Sequence, residues 1–214
     1  MNALDLFCCA GGAAAGIAEA GFEVTGIDID PQPNYPFDFH QGSALCVDFD
    51  FLRSFDFIWA SPPCQFATAY KRRPGHVAPS ENLIPKTRAL LLAAGVPFVI
   101  ENVAGARHEL RDPVMLCGSS FGLDIRRHRY FEAHGFTIPP LDCDHAWQTP
   151  RFPPAGNRTN LRSTVEVGVW RIPMETQYRA MGGCEWMTRR ELSQAIPPAY
   201  ARHIATAAMQ QGRG

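Results

Sequence analysis

The sequence predicts a doubly wound α/β fold, in which helices cover both faces of a parallel sheet and a small loop-rich lobe is inserted. Apolar runs typical of buried strands alternate with helical segments from the N-terminus onward, which favours βαβ units. Several of these runs end directly in a polar or reactive residue, as strands do at the ligand cleft of open α/β sheets. A chain of 214 residues suits one such domain with a small appendage.

The first βαβ unit is predicted from a strand, a loop of small residues, a helix and a second strand. The apolar residues 3–7 form the first strand, residues 8–16 form the loop, and residues 13–20 have helical character. Residues 22–28 form the second strand, which ends in the carboxylate of Asp28. This unit opens a doubly wound sheet.

Three more strands and a helix follow. A short strand is expected near residues 37–40, and the apolar run 55–60 predicts a buried strand. The turn Ser61-Pro62-Pro63-Cys64-Gln65 ends that strand, because two prolines stop the ladder and stiffen the chain. Residues 82–94 fit a helix, and residues 96–101 fit another buried strand.

The second half of the chain is less regular. Residues 114–136 predict further strands, whereas residues 137–180 lose periodicity and are rich in Pro, Asn, Thr and Arg. We interpret residues 137–180 as a small loop-rich lobe, the insertion lobe, within a domain formed by residues 1–136 and 181–214. Helical patterns return near the C-terminus, at residues 188–194 and 198–210.

The net charge of −1 conceals an uneven distribution. The first 60 residues hold nine acids and one base, a net charge of −8, and the remaining residues carry +7. Basic clusters at residues 71–73, 126–129 and 189–190 are compatible with a polyanionic partner. We expect no secretory signal and no membrane span, and the seven scattered cysteines favour reduced thiols and a cytoplasmic location.

Cys64 is the most informative residue, because it follows a buried strand and two prolines. A thiol held on such a turn is a candidate nucleophile, although an isolated cysteine more often packs as a small apolar side chain. Glu101 ends a strand whose carboxyl end faces the same way as Cys64 in a parallel sheet. A thiol beside a carboxyl group suits attack on an electron-poor ring, while Glu101 alone would equally fit a salt-bridged strand end.

Two further patterns suggest ligand contacts. Arg127 and Arg129 alternate along an extended stretch and share one face, which suits a phosphate, a ring carbonyl or a buried carboxylate; structural pairing is the alternative for either alone. Gly11 and Gly12 lie where the backbone must turn tightly, and Asp28 follows Gly11 by 17 residues. That offset is near the ~20 residues of Rossmann-type ribose acids, so the pattern suits an adenosine-containing cofactor; a tight turn followed by an exposed acid fits it equally.

The order of these parts resembles the DNA (cytosine-5) methyltransferases. Six pieces appear in family order over residues 5–205: Asp5-Leu6-Phe7 with the following glycines, Asp28, Pro63-Cys64-Gln65, Glu101-Asn102-Val103, Arg127-x-Arg129 and Gln194 to Tyr200. The resemblance implies a Rossmann-like methyltransferase sheet with S-adenosylmethionine as cofactor. It also implies cytosine in duplex DNA as substrate, flipped out of the helix, and a monomer, with a dimer as the alternative.

The resemblance also implies roles for single residues. Cys64 would attack C6 of cytosine, Glu101 would hold N3 and the exocyclic amine, and Arg127 and Arg129 would fix the base carbonyl and nearby backbone. Asn102 would brace the Pro-Cys turn, and the loop at residues 65–79 would close over the flipped nucleotide. The implied cofactor contacts are Asp5, Phe7, Gly11, Gly12, Asp28, Ile29, Ser43, Ala44, Pro62 and Ala195.

The chain departs from the family pattern mainly on the cofactor side. Phe7-Cys8-Cys9-Ala10-Gly11 replaces the usual Phe-x-Gly-x-Gly, and Ser43 stands where an acid often contacts the adenine. Ile125 stands where the family's Gln-x-Arg-x-Arg motif has its glutamine. In the closing motif, which spans Gln194 to Tyr200, Gln194-Ala195 stands where the family usually has Gly-Asn. Cys64 and Glu101 are spared by these changes.

The resemblance implies that residues 1–136 and 181–214 form a catalytic, cofactor-binding methyltransferase domain and that the insertion lobe, residues 137–180, is a small target-recognition-like lobe. Because this lobe is short, we expect it to read only a short DNA sequence or little sequence at all. Within it Cys143 and His145 offer two metal ligands, whereas structural zinc normally takes four, and no metal site is predicted. Two alternatives stay open. One is the same chemistry on a free deoxycytidine nucleotide or with a modified donor, and the other is a catalytically silent protein that binds DNA or the cofactor.

Overall fold

A computed structural model describes residues 1–64, 81–148 and 164–212. The basic loop expected to close over a nucleotide, at residues 65–79, lies outside the described residues. So does the middle of the insertion lobe, residues 149–163.

Among the described residues, seven strands form one mixed sheet in the order β3-β2-β1-β4-β5-β7-β6. The strands are β1 (Asn2–Leu6), β2 (Glu23–Asp28), β3 (Asp38–Gln41), β4 (Phe57–Ala60), β5 (Phe98–Asn102), β6 (Val114–Leu116) and β7 (Arg129–His134). Strands β1 to β5 are parallel, whereas β7 runs antiparallel to both β5 and β6. The parallel strands end within two residues of their predicted positions, which confirms the predicted fold class.

Helices cover both faces of this sheet. They are α1 (Gly12–Glu19), α2 (Phe49–Arg53), α3 (Ile84–Ala94), α4 (Met174–Met181), α5 (Arg189–Gln194) and α6 (Pro198–Gln211). On one face α1 and α6 pack with Ala3 and Trp59, and on the other face α2 and α3 pack with Leu4 and Leu6. Consecutive β1 residues are therefore buried on opposite faces, as is typical of parallel strands.

Helix α1 packs unusually close to α6 because two of its residues are glycines. A Cβ atom on Gly16 would lie 1.9 Å from the Pro198 carbonyl oxygen, and one on Gly12 would lie 2.6 Å from the Ile196 carbonyl oxygen. Only residues without a side chain permit this approach. The close packing brings the segment before α6 against the loop that follows β1.

Helix α4 was not predicted, since its residues were assigned to the irregular insertion lobe. It begins after Pro173 and ends at Gly182, which adopts the left-handed conformation common at helix ends. Its buried Ala180 and Met181 pack in an apolar cluster with Ala10, so this helix lies against the loop after β1. The bounds of the insertion lobe stay a prediction.

In the described parts of the chain, no helix is both long enough and apolar enough to cross a membrane.

Candidate active site

The candidate site lies where the chain reverses its direction of travel across the sheet. Strands β1 and β4 are neighbours, and the chain proceeds from β1 toward β3 on one side and from β4 toward β5 on the other. Ligands of open α/β sheets bind at the carboxyl ends of the strands flanking such a point. The loop after β1 and the Ser61–Cys64 turn after β4 both emerge there.

The described residues bring Cys64 together with three predicted partners. Burial and the charge of Glu101 raise the pKa of the half-buried Cys64 thiol, whereas Arg129 and Arg127 oppose this shift. The thiol is thus within electrostatic reach of one carboxylate and two guanidinium groups. Free of ligand, Cys64 is held mainly as the thiol, and the arginines provide the charge that would stabilise a thiolate.

Glu101 is buried at the end of β5 and has two polar partners. Its Oε1 lies 3.1 Å from Nε of Arg129, and it accepts a hydrogen bond from the Ser61 hydroxyl. The Ser61 oxygen in turn accepts a 2.8 Å hydrogen bond from Nε1 of the buried Trp59. Burial outweighs these partners and raises the pKa of Glu101. At a given pH, a larger fraction of this carboxyl group is therefore protonated than in water.

Hydrogen bonds hold both the side chain and the backbone of Arg127. Its Nη2 donates a 2.8 Å hydrogen bond to the Ser193 carbonyl oxygen, and its own carbonyl accepts a 2.7 Å hydrogen bond from the Tyr200 hydroxyl. Burial and the charge of Arg129 lower the pKa of Arg127. Its buried Nε has no hydrogen-bond partner among the described residues, and such a donor favours an incoming acceptor.

The turn before Cys64 is fixed by the strand beside it. The buried Asn102 side chain donates a 2.9 Å hydrogen bond from Nδ2 to the Pro62 carbonyl oxygen. Its Oδ1 accepts from the backbone N–H of Val103. The expected bracing role of Asn102 is confirmed by this contact.

A small pocket adjoins this cluster. Three of the predicted cofactor contacts, Asp5, Gly12 and Ala195, line the pocket. Ser61 also lines it, so the pocket reaches the turn that carries Cys64. The other walls come from residues in the loop after β1 and from the segment around α5: Cys8, Cys9, Ala10, Ala13, Met187, Glu191, Gln194 and Ile196.

The pocket-lining carboxylate of Asp5 has a second acid, Asp28, beside it. Asp5 is fully buried, and its Oδ2 has no hydrogen-bond partner among the described residues. Burial and the charge of Asp28 raise the pKa of Asp5. Asp28 accepts hydrogen bonds of 2.9 and 3.0 Å from the backbone N–H groups of Cys9 and Asp30. An unpartnered buried carboxylate beside a second acid fits a cationic or hydroxyl-rich ligand.

The remaining predicted cofactor residues do not line this pocket. The Gly42 N–H donates to the Asp28 carbonyl, which joins the ends of β2 and β3 and places Ser43 near Ile29, an apolar side chain that is 69% exposed. Gly11 packs on Tyr35, Phe7 and Ala44 pack against the apolar core, and Pro62 is buried beneath Asn102.

Comparison with known families shows which family the chain belongs to. The family model described as C-5 cytosine-specific DNA methylase matches residues 1–114, which is more than half of the chain. The chain belongs to this family. No curated protein sequence matches it.

Solved structures resemble this methylase in fold. A candidate DNA modification methyltransferase encoded within an E. coli prophage superposes with a TM-score of 0.65 at 15% identity, with 100% of each chain covered. The S. pombe Dnmt2 methyltransferase superposes with a TM-score of 0.57 at 13% identity, with 98% of each chain covered. At these identities the likeness shows a shared Rossmann-like methyltransferase fold.

The loop after β1, at residues 7–11, keeps a backbone conformation that glycine favours. Phe7, Cys9 and Gly11 all have positive φ angles, of 60°, 45° and 82°. Cys9 occupies a position where the family usually has glycine, and it adopts the left-handed conformation at a cost of about 1–3 kcal/mol. The departure in sequence therefore leaves the turn intact, and burial raises the pKa of the Cys9 thiol to about 12.

Sequence reasoning about this methylase missed Ser61 and Trp59. Ser61 stands beside the Pro-Cys turn, but a serine before a proline has no distinctive pattern of its own. Its role depends on Trp59 and Glu101, which lie on neighbouring strands and point toward it only after β4 and β5 pair.

The methylase also has a cavity of about 310 Å³ that is larger than the pocket beside Cys64. It is lined by Phe98, at the amino end of β5, and by His134, which pairs with Phe98. The cavity therefore lies at the ends of the strands opposite to those that carry the candidate site. The buried ion pair between Arg88 and Glu132 forms another part of its wall. We assign no chemistry to this cavity, because its charged groups already neutralise one another.

Proposed function

We propose that this methylase transfers a methyl group from S-adenosylmethionine to C5 of cytosine in DNA, through a covalent bond between Cys64 Sγ and C6 of the base. The observation that carries the proposal is the clustering of Cys64, Glu101, Arg127 and Arg129, at the carboxyl ends of β4 and β5 and the adjacent start of β7, next to a pocket lined by Asp5. A nucleophile, a carboxyl group of raised pKa and two fixed cations are the groups that this reaction needs.

The acidic pocket supports S-adenosylmethionine as the donor. Asp5, Gly12 and Ala195 would hold the methionine end, and Asp28 with Ile29 would meet the ribose and the adenine. The bound cofactor supplies an electrophilic methyl group on a positively charged sulfur. The unpartnered Oδ2 of Asp5 fits such a cationic ligand, since a buried carboxylate gains from a nearby positive charge.

Cys64 would act first on the base. Its thiolate attacks C6, the Sγ–C6 bond forms, and the electron pair of the C5–C6 double bond makes C5 nucleophilic. Arg129 and Arg127 favour the thiolate, because both guanidinium groups lower the pKa of Cys64. C5 would then take the methyl group, with S-adenosylhomocysteine as the leaving group. Solvent would accept the C5 proton as the Sγ–C6 bond breaks, which restores the C5–C6 double bond of the aromatic ring and the free thiolate.

Glu101 would stabilise the charge that develops on the ring. Its raised pKa favours a protonated carboxyl group, which can donate a hydrogen bond to N3 while its other oxygen accepts from the exocyclic amine. Ser61 and Arg129 fix the orientation of this side chain before a base arrives. Groups oriented in advance contribute most to catalysis, because no reorganisation is needed during the reaction.

DNA is the favoured substrate for two reasons. The matching family is one of DNA methylases, and the prophage neighbour is described as a DNA modification methyltransferase. A base within a duplex must be flipped out to reach Cys64, at a cost of a few kcal/mol. Arg126, Arg189 and Arg190 provide positive charge for contacts with the DNA phosphates.

Nucleoside mass spectrometry tests the proposal. DNA is isolated from cells that express the wild type, Cys64→Ser or Cys46→Ser, the last being a control because Cys46 is an exposed thiol outside the site. We expect 5-methylcytosine with the wild type and with Cys46→Ser, and none with Cys64→Ser. Methylcytosine in the Cys64→Ser sample would rule out the covalent mechanism. A modification of different mass on cytosine would mean that the donor is not S-adenosylmethionine.

A second experiment separates the substrate from the mechanism. The purified protein is incubated with S-adenosylmethionine and either duplex DNA containing 5-fluorocytosine or the free fluorinated deoxycytidine nucleotide. We expect a covalent adduct of Cys64 with the DNA only, because fluorine at C5 blocks the final elimination. An adduct with the nucleotide alone would reassign the substrate, and no adduct with either would favour a silent binding protein.

A further inference from the structure

We propose that Cys117, His128, Cys143 and His145 form a structural zinc site. Among the described residues, these four form a cluster whose ligand atoms all lie within 4.8 Å of one another. The cluster shares no residue with the pocket beside Cys64 or with the reaction proposed above. It would therefore be a second functional centre in the protein.

The distances within the cluster fit a tetrahedral ion. The Cys117 and Cys143 sulfur atoms lie 3.2 and 3.3 Å from Nε2 of His145, and the Cys143 sulfur lies 3.3 Å from Nε2 of His128. Zinc bonds of about 2.3 Å to sulfur and 2.0 Å to nitrogen separate such ligands by about 3.6 Å in a tetrahedron. These three distances differ from that separation by only a few tenths of an ångström.

The ligand set selects zinc among common biological cations. Two thiolates and two neutral imidazoles make a Cys₂His₂ set, which is a standard composition for closed structural zinc sites. Two thiolates also neutralise the double charge of the ion. No carboxylate belongs to the cluster, and magnesium and calcium prefer oxygen ligands.

Strand pairing creates the first half of the site. Leu116 at the end of β6 pairs with Arg129 at the start of β7. The next pair along this antiparallel ladder is Cys117 and His128, so the two side chains stand opposite each other just beyond the last paired residues. Cys117 is fully buried, which protects its thiol from bulk solvent.

The second half comes from the chain that returns across this edge. Cys143 and His145 lie in the insertion lobe, and alternation along an extended segment directs both toward the same side. The rings of His128 and His145 stack with centroids 5.4 Å apart and an interplanar angle of 19°. Ser119 Oγ lies 3.7 Å from the Cys143 sulfur and donates to it. Such a hydrogen bond orients a metal-bound thiolate.

Zinc at this position would stabilise the base of the insertion lobe and the edge of the sheet together. It would join β6, β7 and the segment at residues 143–145 at one point. His128 lies between Arg127 and Arg129, and alternation directs it away from them. If the proposed function holds, a fixed His128 would also keep the two arginines aimed at the base, so the zinc ligands would be positioning residues.

Metal analysis of the untagged, purified protein tests this proposal directly. We expect one zinc ion per chain by inductively coupled plasma mass spectrometry. Zinc should be lost from the double variant Cys143→Ser/His145→Ala and retained by Cys46→Ser and His108→Ala. Cys46 and His108 are exposed residues outside the cluster, and they match the ligands in side-chain chemistry.

Experiments on the wild type alone guard against variants that fail to fold. A strong chelator should release the zinc and lower the melting temperature, and added zinc should restore both. Replacement with Co²⁺ should give the visible absorption of a tetrahedral ion together with a thiolate-to-cobalt charge-transfer band. These readouts do not depend on methyl transfer, so the zinc site and the proposed function can fail separately.

Three results would overturn the proposal. The first is purified protein without bound metal whose melting temperature is unchanged by chelator and by added zinc. The second is a disulfide between Cys117 and Cys143, found by mass spectrometry in place of the metal. The third is stoichiometric binding of another metal, such as iron, which would remove the assignment to zinc.

Discussion

Nε of Arg129 lies 3.1 Å from Oε1 of Glu101, across the antiparallel pairing of β5 and β7. This ion pair spans two strands of opposite direction, and Glu101 also accepts a hydrogen bond from Ser61 at the end of β4. Three neighbouring strands therefore hold one buried carboxyl group in place. A group fixed from three sides before substrate arrives is suited to stabilising charge on a base.

Replacing Glu101 should affect catalysis much more than cofactor binding. In Glu101→Gln the carboxyl group can no longer donate to N3, and we expect turnover to fall about 10²- to 10⁴-fold, the range for loss of a general acid or base. Affinity for S-adenosylhomocysteine, measured by calorimetry, should stay near the wild-type value. The exposed Glu175→Gln is the control. Weaker cofactor binding with normal turnover would mean that Glu101 contacts the cofactor and not the base.

The same Glu101→Gln substitution should make Cys64 more reactive. The Glu101 carboxylate raises the pKa of Cys64, so its removal should lower that pKa and increase the thiolate fraction at any given alkaline pH. The rate of Cys64 alkylation is followed against pH by peptide mass spectrometry, and the rise should begin at lower pH than in the wild type. An unchanged profile would mean that the two groups do not interact.

Ser61→Ala should shift the titration of Glu101 to higher pH. The Ser61 hydroxyl lowers the pKa of Glu101, so its loss removes stabilisation of the ionised form. A raised folded-state pKa means that stability is fully present at low pH and declines as pH rises through the titration of Glu101. NMR of ¹³C-labelled glutamate measures this pKa, and Ser61→Thr should restore the wild-type value. No shift in Ser61→Ala would exclude the hydrogen bond.

Asn102→Ala should loosen the turn that carries Cys64. Loss of the 2.9 Å hydrogen bond leaves the Pro62 carbonyl without its donor, and we expect unfolding free energy to drop by about 1–3 kcal/mol. Urea denaturation followed by circular dichroism measures the change. Asn102→Asp, which is similar in size but cannot donate from its ionised form, should behave likewise. A stability equal to that of the wild type would contradict the bracing role.

Asp28→Ala should weaken cofactor binding. Asp28 holds the Cys9 backbone and is the proposed partner of the ribose, so we expect affinity for S-adenosylhomocysteine to fall about tenfold or more, or at least ~1.4 kcal/mol. Asp38→Ala, an exposed acid on the next strand, should bind normally. Equal affinity in Asp28→Ala and the wild type would place the ribose elsewhere.

Elements with a strong local signal were predicted well, and short or isolated ones were missed. The run at residues 55–60 and the prolines after it define β4 and its end, because burial and loss of the backbone donor act locally. Helix α4 was missed although Pro173 and Gly182 mark its ends, since its eight residues lie in a segment of irregular composition. Helix α2 was missed because its five residues are too few to show a helical period.

By itself the sequence determined the fold class and the family of this protein, and it supplied Cys64 and Glu101 as candidate catalytic residues. These follow from contiguous patterns, in which a strand places the residue at its end at the edge of the sheet. Only the tertiary structure decided which side chains surround them. Ser61 joins Trp59 to Glu101 because β4 pairs with β5, and this pairing is not visible in any one segment.

The four-residue metal cluster shows the same division. The sequence supplied Cys143 and His145 as neighbours, but their spacing from Cys117 and His128 matches no short metal-binding motif. The pairing of β6 with β7 and the return of the chain across that edge bring the four ligands together. Contacts between distant segments depend on how the whole sheet packs, so local composition and periodicity could not determine them.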